Sequence, residues 1–373
     1  MKILYIADLN SILVKRLIQE IILNENEIRY SIIDIFRGKI FSPKGLLNHP
    51  IISDTLSSRQ KKIRIIRSVF LSAFIILFHS RYDIIHIHYL NSYYRFFLPL
   101  LRNKAEKLII TLYGSDFYHL SDKTYRSINS LFKISTYITF HNPQMAHDFS
   151  VIYPSYIGKI RICRFGLGLL DEIDRLHNDR LKAKSILKLP VDNIIVCCGH
   201  SANRRELHHI IIKQLQGINE NVKKCLFAVF PFTYNINSDL YNQVNKLMND
   251  SGIRFKILDS HLSDKEVAAL RIASDIMISV PSSDQMTASM LETLYAGGIV
   301  ITGEWLPYDL LDENKIAYIR IKRHEELTRK IESLILSLVN GENPLETTQN
   351  KQIIKELFKW EVVLQDWINI YVG

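Results

Sequence analysis

Glycine is scarce in this chain, with 14 in 373 residues, where average usage near 7% would give about 26. Its placement is therefore informative. Gly114, Gly166, Gly168, Gly199, Gly297, Gly298 and Gly303 all fall at or beside strand-like runs, where backbone turns sharply or approaches a ligand. Cysteine is rarer still. Cys163, Cys197, Cys198 and Cys225 include no C-x-x-C pair and sit within apolar runs, which argues against a zinc site and a disulfide framework and for reduced core thiols. Long apolar runs are missing too. The longest, Val69 to Phe78, is about half of the roughly 20 residues that cross a bilayer. The opening MKILYIADLN carries one Lys and a short apolar run cut by Asp8, so no secretory leader is expected and the expected location is the cytoplasm. No nucleic-acid motif accompanies the aromatics Tyr89, Tyr93, Tyr94, Phe96 and Phe97 around Arg95. They read as an acceptor-facing or core cluster, and nucleic acid is not an expected partner.

What is present is a globular composition, 47% hydrophobic and 23% charged with no low-complexity tract, at a length suited to two domains of roughly 150 to 200 residues. The net charge of +9 is unevenly spread. Residues 1–170 carry 23 Lys and Arg against 11 Asp and Glu, or +12, and residues 171–373 carry 24 against 27, or −3. Such asymmetry points to an anionic partner, whether nucleic acid, a membrane face or a phosphorylated substrate, without naming which. Its peak is RQKKIRIIR, Arg59 to Arg67, directly before the apolar run. Lys61, Lys62, Arg64 and Arg67 form either a solvated helix face or a surface for an anionic membrane and a lipid-borne acceptor. Val69 to Phe78 either dips into that interface or packs as a buried helix.

Strand-like runs alternate with amphipathic segments throughout. KILYIA, EIRYSIIDI, DIIHIHYL, KLIITLYG, TYITF and KIRICRFG form one series. After a charged helical stretch, DEIDRLHNDRLKAKSILK, ended by Pro190, come NIIVCCG, KCLFAVF, RFKIL, DIMISV and GIVIT. Near-continuous Ile, Leu and Val implies parallel strands covered on both faces. The fold class is α/β: two doubly wound, Rossmann-like domains, 1–168 and 169–350, whose facing strand ends form a central cleft. A terminal helix, 351–373, is expected to cross back to the first domain.

The segment richest in chemistry is DIMISVPSSDQMTASMLETLYAGGIVITG, Asp275 to Gly303. A strand ends at Val280, a turn follows, and a helix is expected from near Asp284 to Ala296. Ser282, Ser283 or Asp284 can cap it, leaving backbone N–H groups of the first turn as an anion site. Asp284 and Glu292 are eight residues apart, so on a helix their carboxylates lie near one face about 12 Å apart, able to accept hydroxyls from both ends of a nucleotide sugar. In VCCGHSANRRELHH, Arg204 and Arg205 follow a strand and Gly199, where guanidinium charge can neutralise a diphosphate. His200 and Ser201 either contact phosphate or cap the next helix. His86 and His88 share a strand face without a third ligand at a recognisable spacing and read as strand-end packing.

These motifs together resemble glycosyltransferase family 4, retaining transferases of the GT-B fold. The strand ending in P-S-S-D, then seven residues, Glu292 and A-G-G-I-V-I, is similar to that family's signature. The resemblance implies that Glu292 holds the donor ribose, that Asp284 holds the donor sugar with Ser283 beside it, and that the backbone of Gln285, Met286, Thr287 and Ala288 faces the diphosphate. It implies base contacts from Leu258, Asp259 and Ser260, and diphosphate contacts from Gly199, His200, Ser201, Arg204 and Arg205. In the first domain, KLIITLYGSDFY is similar to the family's T-x-H-G-S-D segment, implying roles for Gly114 and a catalytic Asp116; ICRFGLGLL is similar to its inter-domain turn. A shorter likeness, GHSANRRELHH with FPFTYNINSDLY, is to transferases of 4-acetamido-4,6-dideoxygalactose. Three departures stand out: Asp284 replaces the usual Glu, Tyr113 the usual His, and ADLNSILVK lacks the usual glycines.

The function expected is metal-independent, retaining transfer of a sugar from a nucleoside diphosphate sugar, most simply a UDP-sugar, with no cofactor. The expected acceptor is a lipid-linked saccharide in surface polysaccharide synthesis, met at the inner membrane face. A non-catalytic nucleotide-sugar binding relative and a GT-B nucleotide-sugar epimerase are the competing readings.

Overall fold

Burial on both faces turns the Ile- and Val-rich runs into parallel strands. The computed structural model describes residues 1–8, 11–24, 28–34, 39–41, 60, 63–64, 66–67, 70, 73–74, 76–77, 81–90, 94, 98–118, 122–233 and 238–373. They divide into two units, residues 1–166 with 360–373, and residues 167–359.

The sheet of the first unit contains β1 (Lys2–Ala7), β2 (Arg29–Asp34), β3 (Lys39–Phe41), β4 (Tyr82–His88), β5 (Ala105–Leu112), β6 (Tyr137–Phe140) and β7 (Ile160–Ile162). Its order is β3-β2-β1-β4-β5-β6-β7. All pairs are parallel except β2 with β3. Leu4, Ile6, Ile85, Ile87 and Ile110 help fill one face. On the other, Ile3, Tyr5, Ile84 and Ile109 meet the helix Ile12–Asn24 and Trp360, Trp367 and Tyr371 from the end of the chain.

The second unit holds β8 (Ile194–Cys198), β9 (Leu226–Pro231), β10 (Phe255–Leu258), β11 (Ile276–Ser279), β12 (Ile299–Gly303) and β13 (Ile319–Ile321), in the order β10-β9-β8-β11-β12-β13 and wholly parallel. The order reverses between β8 and β11, which makes the carboxyl ends of those two strands the place where such sheets bind ligands. Both segments singled out for chemistry follow these strands.

Several expectations need correction. The charged stretch 170–186 is two helices, Leu170–Arg175 and Arg180–Ile186, because His177 and Asn178 between them take left-handed backbone. The edge strands β3 and β13 were not foreseen. The terminal helix expected over 351–373 is broken in two, Asn350–Phe358 and Trp360–Val372, by extended backbone at Lys359. The first half stays with the second unit, and the unit boundary at 166/167 precedes the expected 168. Gly166 admits this return: a Cβ there would lie 2.3 Å from the Trp360 ring.

Candidate active site

In the second unit the chain leaves β8 through Gly199, whose φ of +72° suits glycine. A Cβ there would lie 2.8 Å from Glu206 Oε2 and 3.0 Å from His208 Nε2. The loop then winds into a short 3₁₀ turn, Arg204–Glu206, started by Asn203, whose side chain accepts the Arg205 N–H. Glu206 is the hub. Its buried Oε1 accepts the Ser201 hydroxyl at 3.1 Å and lies 2.9 Å from His200 Nδ1. Burial pushes the Glu206 carboxyl up, but His200 and Ser201, with the nearby His208, outweigh it and hold the group below the usual carboxylate range. His208, enclosed beside the Phe232 ring, is pushed down to about 4 by burial. His200 and Ser201 thus bind a carboxylate within their own loop. Arg204 and Arg205 are exposed and have no side-chain partner among the described residues.

The loop after β11 joins this one, since the Ser282 N–H donates to the Arg205 carbonyl at 3.0 Å. Here the helix starts later than expected. It spans Ala288–Tyr295 with Thr287 as its N-cap. Asp284 therefore does not share a helix face with Glu292, and neither Ser282, Ser283 nor Asp284 is the cap. Two local causes delay the start: Met286 is left-handed at φ +71°, and Asp284 Oδ2 captures the Thr287 N–H at 2.9 Å in an Asx-type turn. The same oxygen accepts the Tyr308 hydroxyl at 2.5 Å. Trp305 pins the strand end by donating its indole N–H to the Pro281 carbonyl at 2.9 Å. Ser283 is exposed, Gln285 is half-buried, and Gln285 Oε1 has no partner among the described residues.

Glu292 lies on the helix interior and is 5% exposed. Its Oε2 accepts from Arg271 Nε at 3.1 Å. Burial pushes the Glu292 carboxyl up and Arg271 opposes that shift, with Asp264 and His200 the other charged or titratable groups that influence it. Oε1 has no protein partner among the described residues, so a charge-compensated carboxylate keeps one oxygen for a ligand hydroxyl. Leu258 closes β10 as a buried side chain, followed by exposed Asp259 and Ser260. Sequence reasoning missed Glu206, Arg271, Tyr308 and Trp305. An ionic side chain is rarely buried without a partner, but each partner here is fixed by the fold.

In the first unit Gly114 has φ +109°. Asp116 next to it is 2% exposed and its carboxylate accepts three backbone N–H groups, from Leu90 at 2.8 Å, Tyr113 at 2.7 Å and Gly114 at 3.0 Å. This carboxylate pegs the turn. Tyr113 shares a hydrogen bond with His88 Nδ1 at 2.8 Å. His86 is bonded at both ring nitrogens, to the Tyr371 and Thr111 hydroxyls, each at 2.7 Å. These bonds make it a packing element, and burial pushes His88 down to about 3.

Burial also pushes the Asp116 carboxyl up to about 6, with its backbone donors opposing. A carboxyl raised on folding contributes stability that is whole below its unfolded pKa near 4 and is lost as pH rises through about 6. Asp116→Asn should therefore flatten the pH dependence of stability between about pH 4 and 6. Urea unfolding across that range checks it; a slope equal to the parent's contradicts it.

Of the expected surface cations, Lys61 and Lys62 lie outside the described residues. Arg64 is half-buried and Arg67 exposed, both in helical backbone.

Residues 2–142 match the family described as Glycosyl transferase 4-like. No protein of curated function matches the chain in sequence. Among solved structures, the chain is similar to the sucrose-phosphate synthase of Thermosynechococcus elongatus, with a TM-score of 0.73 and 13% identity over 100% of this chain and 98% of that one. It is equally similar to a glycosyltransferase from Rickettsia africae, at 0.73 and 16% identity over 99% and 97%. Anabaena HepE in complex with UDP and glucose superposes at 0.69 with 14% identity over 99% of both chains. The chain thus has the GT-B fold, and its residues 2–142 carry the match to the Glycosyl transferase 4-like family.

Proposed function

We propose that this protein is a retaining glycosyltransferase that takes a sugar from a nucleoside diphosphate donor, with uridine the favoured base. The observation that carries the reading is the buried Glu292–Arg271 pair beside the Gly199–Glu206 loop at the strand-order reversal. A carboxylate with one compensated and one available oxygen suits a ribose diol, and the unpaired Arg204 and Arg205 suit the diphosphate. HepE binds UDP and UDP-glucose, which favours the same donor class here.

In this mechanism Glu292 anchors the ribose and Asp284, oriented by Tyr308, holds hydroxyls of the transferred sugar. Arg204 and Arg205 stabilise the charge that develops on the diphosphate as the glycosidic bond breaks, without a metal ion. The acceptor is a lipid-linked saccharide of surface polysaccharide synthesis, met at the inner face of the cell membrane. The +12 surplus of residues 1–170 supports an anionic surface as the meeting place.

Calorimetric titration with UDP, with and without a chelator, is expected to give the same affinity in both. Glu292→Ala should abolish binding, and Arg204→Ala or Arg205→Ala should each cost about 2 to 4 kcal/mol of transition-state stabilisation. No UDP binding, or binding that vanishes with the chelator, sinks the proposal. A product of inverted anomeric configuration contradicts retention. Binding without transfer or hydrolysis selects the non-catalytic relative, and an isomerised donor formed without acceptor selects the epimerase.

A further inference from the structure

Between residues 55 and 82 the sequence has six Lys and Arg and no Asp or Glu. Within it, the described residues 60, 63, 64, 66, 67, 70, 73, 74, 76 and 77 are all helical. Five large apolar side chains are turned to solvent: Ile63 is 58% exposed, Ile66 51%, Phe70 72%, Phe74 60% and Leu77 50%. Their spacing of three, four, four and three residues is that of one stripe on an α-helical surface. The helix is anchored from another side. Ile76 is fully buried in the cluster that contains Ile85, Leu101 and Leu108, and Ala73 packs against it. Among the described residues of the run 69–78, Ile76 is buried, while Phe70, Phe74 and Leu77 are exposed, so these residues do not form a wholly buried helix face. Exposed Arg67 sits four residues after Ile63 and three before Phe70, on the border of the stripe. Exposed Arg81 follows it. Lys104 Nζ donates to the Leu77 carbonyl at 2.8 Å, a cation at the end of the stripe.

We infer that this stripe is the membrane-docking element, its phenylalanines entering the headgroup boundary of an anionic bilayer while the flanking Arg and Lys side chains meet lipid phosphates. Monomeric proteins rarely leave such a row of large apolar groups open. An apolar face flanked by cations, in a stretch of sequence without Asp or Glu, matches an interface that is itself apolar within and anionic at its surface. An acidic protein partner would satisfy the cations but not five neighbouring apolar side chains. The inference rests on the proposed lipid-linked acceptor, yet its test requires no turnover.

The intact protein is floated with phosphatidylglycerol/phosphatidylcholine vesicles and with phosphatidylcholine vesicles, at low and high salt. Binding to the anionic vesicles is expected, with Phe70→Ser/Phe74→Ser reducing the bound fraction about tenfold at either salt and Arg67→Gln reducing it mainly at low salt. UDP affinity measured on the double variant should equal that of the parent. That equality separates loss of docking from loss of fold, and from failure of the donor reading. Flotation of the double variant at the parent's level overturns the inference, as does a parent that ignores anionic vesicles. A concentration-dependent dimer in light scattering that the double variant abolishes, without vesicle binding by the parent, assigns the stripe instead to a second copy of the chain.

Discussion

Arg271→Met is expected to cost about 3 to 5 kcal/mol of stability, because it leaves the buried Glu292 carboxylate without its cation. The deficit should depend on pH. Burial already pushes the Glu292 carboxyl up, and Arg271 is the main influence opposing it, ahead of His200 and against Asp264. Without Arg271 the group rises further and takes up a proton in the folded state. A carboxyl raised in this way contributes stability that is present at low pH and lost as pH rises through the folded value. The variant should thus approach the parent in acid and fall away from it as pH increases, while its UDP affinity improves over the same interval as the carboxylate forms. Chemical unfolding and calorimetry at matched pH values check both slopes. In the double variant Arg271→Met/Glu292→Leu much of the stability should return, since an apolar pair of similar volume often replaces a buried ion pair without loss, but nucleotide binding should not. Parallel pH profiles for parent and Arg271→Met would show that the pair does not set the charge of Glu292.

This pair marks the limit of what the sequence discloses. Period-two and continuous apolar patterning revealed KILYIA, DIMISV and GIVIT as strands because a parallel strand buried on both faces has little choice of composition. The Gly199 turn was legible for a similar reason: a glycine at a strand end records a local backbone need. The delayed helix start at Ala288 was hidden, since Asp284 can cap a helix or close an Asx turn and only the left-handed Met286 decides between them. Arg271 lies 21 residues before Glu292, and nothing in its own helix announces a partner on another. Glu206 was hidden beneath the two arginines before it, whose charge draws attention that the buried neighbour does not. The three backbone bonds of Asp116 were hidden too, because a carboxylate that pegs a turn and one that touches substrate occupy the same place in a motif.

The second large effect belongs to Trp367, fully buried in the terminal helix of the first unit. Its indole N–H donates to the Arg164 carbonyl at 2.7 Å, and its ring meets Phe165 at 5.4 Å and His86 at 5.9 Å between centroids. Trp367→Ala is expected to cost about 3 to 5 kcal/mol, by lost burial and an unfilled cavity. The damage should extend to the His86–Tyr371 bond, whose hydroxyl partner rides on the same helix. Denaturant titration should show a lower midpoint for the first unit with UDP affinity of the intact fraction retained, because Glu292, Arg271, Arg204 and Arg205 all lie in the other unit. A midpoint within the parent's error would mean that the helix contributes little to that core.

Residues 360–373 complete the first unit although all of residues 167–359 intervene. During synthesis, then, the sheet face of Tyr5, Ile84 and Ile109 has only the helix Ile12–Asn24 of its two helical covers until Trp360, Trp367 and Tyr371 leave the ribosome. The second unit, contiguous in sequence, has no such delay and can close first. The half of the molecule that is made first is thereby the last to be finished, and for most of translation it is the half in need of a chaperone.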